Sequence, residues 1–324
     1  SRSVVGIYGV NPDHLLLENT GNGEFRNATE RVANDLKDAG MVTAAAWADL
    51  DGDGKKDLIV TTDWGSPKVY RNNGRRISKL NTSLDSLHGW WNTVTTADLD
   101  KDGDQDLILG NQGSNLHYKP SPGQPMKMWV NDFDNNGTLE QIITVQENGR
   151  DYPIHMKKEL TGQLVSLKKE NLRASVYAKR TIQELLPPEV VANSIVKQVN
   201  IPESVLLINE GGWKFRVQKL PERVQLSCIC GIACMDVNND GHLDLVMGGN
   251  KHEFKPQFSR LDAGYGNVLL GDGNLGFQWQ QYDQSGFFVR GEVKYIKPIR
   301  DRNGKTYLVV ALNEDQPRIF KLDE

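Results

Sequence analysis

The chain has 324 residues, a quarter of them charged, with a formal net charge of −4 and three cysteines. That length supplies a core for one large repeat domain or two ordinary ones. The near balance of charge, with no long Lys/Arg block, excludes the footprint of a nucleic-acid or anionic-membrane binder, and no apolar run approaches the ~20 residues of a membrane-spanning helix.

In chain order, VVGIYG and then HLLLEN read as short strands that join a repeat partway through. Either a longer array precedes Ser1, which shows neither a starting Met nor a signal-peptide pattern, or strands from the C-terminal end complete the unit. HLLLENTGNGEFRNAT (14–29) is an apolar strand, a Gly/Asn turn and an aromatic. Then DLDGDGKKDLIV (49–60) puts four aspartates into nine positions and turns apolar. KVYRNNGRRISKL (68–80) is a weaker strand–turn–strand, and the acidic stretch returns as DLDKDGDQDLIL (98–109), DFDNNGTLEQII (132–143) and DVNNDGHLDLVM (236–247).

Counted from its first residue, position 1 of each stretch is Asp49, Asp98, Asp132 or Asp236, and position 3 is Asp51, Asp100, Asp134 or Asn238. Position 5 is Asp53, Asp102, Asn136 or Asp240; position 6 is Gly54, Gly103, Gly137 or Gly241; position 9 is Asp57, Asp106, Glu140 or Asp244. Oxygen side chains at alternating positions followed by a glycine for a sharp turn form the front half of a calcium loop. Position 7 offers its backbone carbonyl to such an ion, so its side chain is free to vary, as Lys55, Asp104, Thr138 and His242 do. Two like unit charges ~4 Å apart repel by about 1 kcal/mol in water and about 4 kcal/mol near a protein surface, so converging carboxylates need a cation. All-oxygen donors favour Ca²⁺ over Mg²⁺, which keeps its waters, and over Zn²⁺, which wants thiolate or imidazole. The expectation is up to four structural Ca²⁺. An EF-hand is excluded, because position 12 is Val60, Leu109, Ile143 or Met247 instead of a bidentate Glu, and the flanks are β-rich.

Further along, KKELTGQLVSLKKENLRASVYAKRTIQELL places Leu160, Leu164, Leu167, Ala174, Tyr177, Ala178, Ile182 and Leu185 at helical spacing, and Pro187-Pro188 ends it. A helical pair inserted at 157–200 in a blade hairpin, packed on the propeller, explains why the third and fourth loops lie so far apart. SVLLINEGGWKFRVQ (204–218) and NVLLGDGNLGFQW (267–279) repeat the strand–turn–aromatic phrase. Cys228, Cys230 and Cys234 are too few and too close for a disulfide framework and read as small apolar residues of a buried strand. EVKYIKPI, KTYLVVAL and PRIFKL are three strands of a last unit without its loop. A period near 50 residues built from short strands predicts an all-β chain: a β-propeller of about five four-stranded blades plus an N-terminal portion. Its parts are then 1–156, the helical insertion, and 201–324.

The D-x-[DN]-x-[DN]-G-x-x-[DE]-apolar loops resemble those of FG-GAP/VCBS repeat propellers, the group that includes the calcium-binding blades of integrin α-subunits and cartilage acidic protein; bacterial VCBS repeat proteins look most similar. The resemblance covers most of the chain outside about 157–200, implies calcium at the four loops, and would allow seven blades in a parent protein, so that about 5–7 blades are expected. The Phe-Gly and Gly-Ala-Pro words of the repeat are replaced by ILGNQG and VMGGN, and the third and fourth loops carry three carboxylates, not four.

DSLHGWWNTV, with His88, Trp90, Trp91 and Asn92, and GNQGSNLHYKPSPGQP, with Asn111, Asn115, His117, Tyr118 and Lys119, are expected on the side away from the calcium edge. They are candidates for a stacking and hydrogen-bonding platform for a protein or carbohydrate ligand. No G-x-S-x-G, H-E-x-x-H or phosphate loop occurs. The expected function is a non-enzymatic, calcium-stabilised recognition or adhesion module at a cell surface or in another extracellular or periplasmic setting. A polysaccharide lyase or hydrolase using a propeller pocket is the alternative, and a purely architectural module of a larger surface protein is a third reading.

Overall fold

The runs that follow the acidic loops, such as DLILG and DLVMGG, are buried along their whole length, so each needs apolar neighbours on both faces. A computed structural model describes residues 3–4, 7–253 and 260–322; Val5 and Gly6 of the expected first strand lie outside the described residues. A hairpin of β1 (Leu17–Gly21) and β2 (Glu24–Asn27) leads through the short helix α1 (Thr29–Val32) into the first sheet. That sheet runs β3 (Met41–Ala48), β4 (Asp57–Gly65), β5 (Lys68–Asn72) and β6 (Ile77–Leu80), with β7 (Gly89–Trp90) added to the far end of β4.

The second sheet starts with β8 (Thr93–Ala97) and β9 (Asp106–Gly110), but β9 pairs next with β14 (Val205–Asn209), followed by β15 (Phe215–Lys219). Everything between is an excursion with a sheet of its own: β10 (Met126–Asn131), β11 (Glu140–Glu147) and β12 (Arg150–Pro153), then α2 (Lys157–Gln163), α3 (Ala174–Tyr177), α4 (Ile182–Leu185) and α5 (Pro188–Ala192), then β13 (Ile195–Val199). The third sheet is β16 (Ile229–Met235), β17 (Asp244–Gly249), β18 (Asn267–Gly271) and β19 (Phe277–Trp279), followed by α6 (Tyr282–Ser285). The fourth has three strands, β20 (Val293–Arg300), β21 (Thr306–Leu312) and β22 (Arg318–Lys321). All pairings between these strands are antiparallel.

The chain is thus all-β and propeller-like. The inner strands β3, β8, β16 and β20 pack side by side in that order. Because side chains alternate along a strand, Leu107 and Leu109 of β9 face the first sheet while Ile108 faces the third. The same split recurs in β14, with Val205 and Leu207 on one side and Leu206 and Ile208 on the other. The core therefore lies between sheets, in successive apolar layers.

Four expectations need correction. The third acidic loop does not open a blade between the second and fourth; it joins β10 to β11 inside the excursion. The inserted segment accordingly covers about 111–203 and not only 157–200, and its helices are short turns instead of a long pair. Leu160, Leu164, Leu167, Tyr177, Ile182 and Leu185 are buried as expected from their spacing, but against Trp129, Phe133 and Ile142 of the inserted sheet, not against the propeller blades. Finally, among the described residues β1 and β2 pair only with each other and β22 only with β21, so the C-terminal strands do not complete the N-terminal unit.

Asn111 closes the stem of the excursion. It is fully buried, and its side-chain oxygen accepts from the Trp90 and Gln112 N–H groups at 3.1 and 2.8 Å. Its Nδ2 donates to the carbonyls of Ile201 and Glu203 at 2.9 and 3.2 Å, where the chain returns.

Candidate metal loops and ligand cavity

The four acidic loops share one backbone path. Position 4 is left-handed in each, at Gly52, Lys101, Asn135 and Asn239 (φ +57 to +71°), and so is the position 6 glycine (φ +80 to +98°). Two left-handed residues in three explain why glycine and asparagine dominate there. This path lets one oxygen of the position 1 carboxylate accept the N–H of position 6, at 2.8 Å for Asp49, 3.1 Å for Asp98 and 2.8 Å for Asp132 and Asp236. Position 5 accepts the N–H of position 7 at 2.8–2.9 Å in all four. Apolar position 2 anchors the loop from below: Leu50, Leu99 and Phe133 are buried.

Position 9 does more than the sequence pattern suggests. One oxygen of Asp57, Asp106 or Asp244 accepts the N–H of position 2 in its loop, and the other accepts an N–H from the third strand of the sheet: Asn72, Asn209 and Gly271 respectively. Glu140 makes the first of these bonds, to Phe133 N–H at 3.0 Å. Burial pushes the carboxyls of Asp57 and Asp244 up, and that of Asp106 up to about 6. Asp57, Asp106 and Asp244 are thus clamps between loop and sheet whose charge is costly to bury unless a cation is near.

Carboxylate oxygens of Asp49, Asp51 and Asp57 lie within 4.8 Å of one another, as do those of Asp98, Asp100 and Asp102 and those of Asp132, Asp134 and Glu140. Among the described residues, Oδ1 of Asp98, Asp100, Asp134 and Asp236 is buried without a hydrogen-bond partner. An orphaned, inward-pointing carboxylate oxygen is what a hard divalent cation would satisfy, and the donors available are oxygen alone. The residues therefore fit such an ion. In the fourth loop Asn238 takes the place of a carboxylate and hydrogen bonds Asp240 at 2.8 Å, while His242 Nδ1 is buried and unpaired.

The loops differ in their competitors. Arg71 reaches Asp51 at 2.8 Å, and Lys55 reaches Asp53 at 3.0 Å and holds that carboxyl below its usual range. Asp104 and Thr138, at position 7 of the second and third loops, bring no positive charge.

On the other edge of the sheets the expected platform divides. Trp90 ends β7 and Trp91 follows it, and their side chains enter different apolar clusters, so the two do not share a surface. Trp91 is fully buried in the core between the first two sheets, its Nε1 donating to Leu87 O at 3.1 Å; it is no ligand contact. Asn92 and Asn115 also stay outside: Asn92 Nδ2 is a buried orphan, and Asn115 donates to Leu226 O at 3.2 Å. His88 lies on a separate recess.

Trp90, His117 and Tyr118 do come together, around a cavity of about 220 Å³ that Tyr8, Trp64 and Lys251 also line. Trp64 and Trp90 meet edge to face at 5.4 Å, and His117 and Tyr118 at 4.6 Å. Tyr8 donates to Asp63 at 2.5 Å. Trp64 sits at φ +53°, a conformation a bulky residue adopts only when its surroundings enforce it. Trp64 and Tyr8 were missed because neither stands in a recognisable phrase; DWG, an aromatic before a turn glycine, is the only local hint.

A family model for the FG-GAP-like repeat matches residues 6–60 and 49–109. Each match ends at position 12 of an acidic loop, and together they span the first sheet and the first half of the second. No curated protein matches the chain.

Proposed function

We propose that this chain, whose residues 6–60 and 49–109 match the FG-GAP-like repeat, is a non-enzymatic recognition module whose loops hold up to four structural calcium ions. The observation that carries this reading is the set of orphaned carboxylate oxygens at positions 1 and 3 of the second loop, 3 of the third and 1 of the fourth, in loops that share one backbone path. A bound calcium would supply positive charge and coordination to those oxygens. The chain's own residues do the rest: position 1 carboxylates and position 5 side chains fold the loop onto its N–H groups, and position 9 of the first, second and fourth loops ties it to the third strand. Rigid loop edges in turn hold the opposite edges of the same sheets, where the aromatic cavity opens. That cavity is the proposed ligand site, for a protein or carbohydrate group.

The setting that suits this reading is extracellular, at a cell surface or in a periplasm, where calcium fills sites of millimolar class. Among the described residues no helix is long and apolar enough to cross a membrane. Calorimetric titration of metal-free protein with CaCl₂, paired with thermal melts in CaCl₂ and in EGTA, tests the proposal. Saturable binding and a melt that falls on chelation are expected. A melt unchanged by EGTA in demonstrably metal-free buffer would overturn it.

A further inference from the structure

We propose that the recess beside the aromatic cavity is an oxyanion subsite, binding a carboxylate, sulfate or phosphate group through Lys197 and Lys68. It deepens the reading of this edge as the ligand side and rests on it. The recess measures about 350 Å³ and lies at the seam between the first sheet and the edge strand β13 of the excursion. Lys68, Lys79 and Lys197 line it, against two carboxylates, Asp63 and Asp85.

The charges do not cancel. Lys79 is paired with Asp85 at 2.9 Å. Lys68 donates to the Asp38 and Ala39 carbonyls at 2.9 and 2.8 Å, and Lys197 donates to Asn11 Oδ1 at 2.6 Å. Both sets of partners are neutral, and neither ammonium has a carboxylate within ion-pair distance among the described residues. Asp63, the remaining carboxylate, is buried and accepts from Tyr8. Burial lowers the pKa of both lysines; the charges of Lys79 and Lys197 lower that of Lys68 further, while Asp85 and Asp38 act against this on Lys68 and Asp63 on Lys197. Two partly buried ammonium groups in a low-dielectric recess, neither in ion-pair contact with a carboxylate among the described residues, are costly, and an oxyanion that enters offsets that cost.

Lys68 has an evident structural role as well, since its ammonium satisfies carbonyls at the end of the 3₁₀ turn Asn34–Asp38. Lys197 has none beyond Asn11. It comes from the excursion, so the site exists only where the inserted sheet meets the first. Trp64 belongs to the wall of both cavities, so a ligand with its oxyanion on the lysines has its remaining atoms beside the aromatic cavity.

The test is titration of the full chain, kept in CaCl₂, with sodium sulfate, phosphate, acetate and glucuronate, read by calorimetry and by the shift in melting temperature. Saturable binding of at least one anion is expected, weakened tenfold or more by Lys197→Gln and recovered in part by Lys197→Arg. Lys219→Gln, at an exposed lysine paired with Glu203, should leave binding unchanged. Tighter binding of glucuronate than of acetate identifies an organic ligand spanning both cavities; tighter binding of sulfate or phosphate than of either carboxylate identifies a free inorganic ion. No saturable binding by wild type, or binding that Lys197→Gln leaves intact in a folded protein, overturns the proposal. The calcium-dependent melt is a separate readout, so the subsite can fail while the calcium reading stands.

Discussion

Replacing Asn111 by leucine keeps the size of a fully buried side chain and removes its polar atoms. Four groups then lose their partner: the N–H groups of Trp90 and Gln112 and the carbonyls of Ile201 and Glu203. At about 1 kcal/mol each, the low end for an orphaned buried group, the loss is about 4 kcal/mol. For a large domain each kcal/mol lowers the melting temperature by roughly 2–4 °C, so a fall of roughly 8–16 °C is expected. Equilibrium urea unfolding gives the free energy directly. Limited proteolysis supplies the location, since cleavage should accelerate within 111–203, whose two ends Asn111 joins. Asn115→Leu is the control: exposed and with one bond to Leu226 O, it should stay within about 0.5 kcal/mol of wild type. If Asn111→Leu unfolds within about 1 kcal/mol of wild type with an unchanged m value, the stem does not work as described.

Arg71→Ala removes the cation that competes for Asp51, so the affinity of the first loop for calcium should rise severalfold by calorimetric titration, with the other loops unaffected. At Gly249 an added Cβ would fall 1.7 Å from the Cys228 carbonyl oxygen, a backbone atom that cannot swing aside; Gly249→Ala should cost about 1–3 kcal/mol or more in urea unfolding. His14 is buried with Nε2 2.6 Å from Gly40 O, and burial lowers its pKa below 6.5. The unfolded chain therefore takes up the proton first, and stability present above pH 6.5 should fall as pH drops from 6.5 toward the lowered folded value. His14→Gln should remove that part of the acid-side slope in urea unfolding at stepped pH.

The loops were legible because their chemistry is local: alternating oxygens and a glycine within nine residues announce both the turn and the strand that follows. Which sheet a loop serves was not legible. The third loop carries nearly the same residues as the others, yet β9 passes over it to pair with β14, a choice made by Leu107 and Ile108 meeting Leu207 and Leu206 across the excursion. No local pattern encodes such a partner. The words ILGN and MGGN, which looked like departures from the repeat, turn out to carry the buried amides Asn111 and Asn250; Asn250 likewise donates to the Gly264 and Gly291 carbonyls. Nothing in GWWN separates Trp90 from Trp91; only the packed sheets send them into different apolar clusters. Lys68 and Lys197 come from distant strands, and only the seam makes them neighbours.

The second sheet is assembled from strands on both sides of the excursion, and this sets an order on biosynthesis. When β9 leaves the ribosome its outer edge has nothing to pair with until β14 emerges about a hundred residues later. In that interval the inserted sheet and its helical turns can bury Trp129, Phe133 and Ile142 in a core of their own. The nascent chain thus has reason to complete the excursion first and to join β14 to β9 afterwards, across a contact of high sequence separation. A delay there leaves an apolar strand edge unprotected, which makes this junction the place where a chaperone or an aggregate would first take hold.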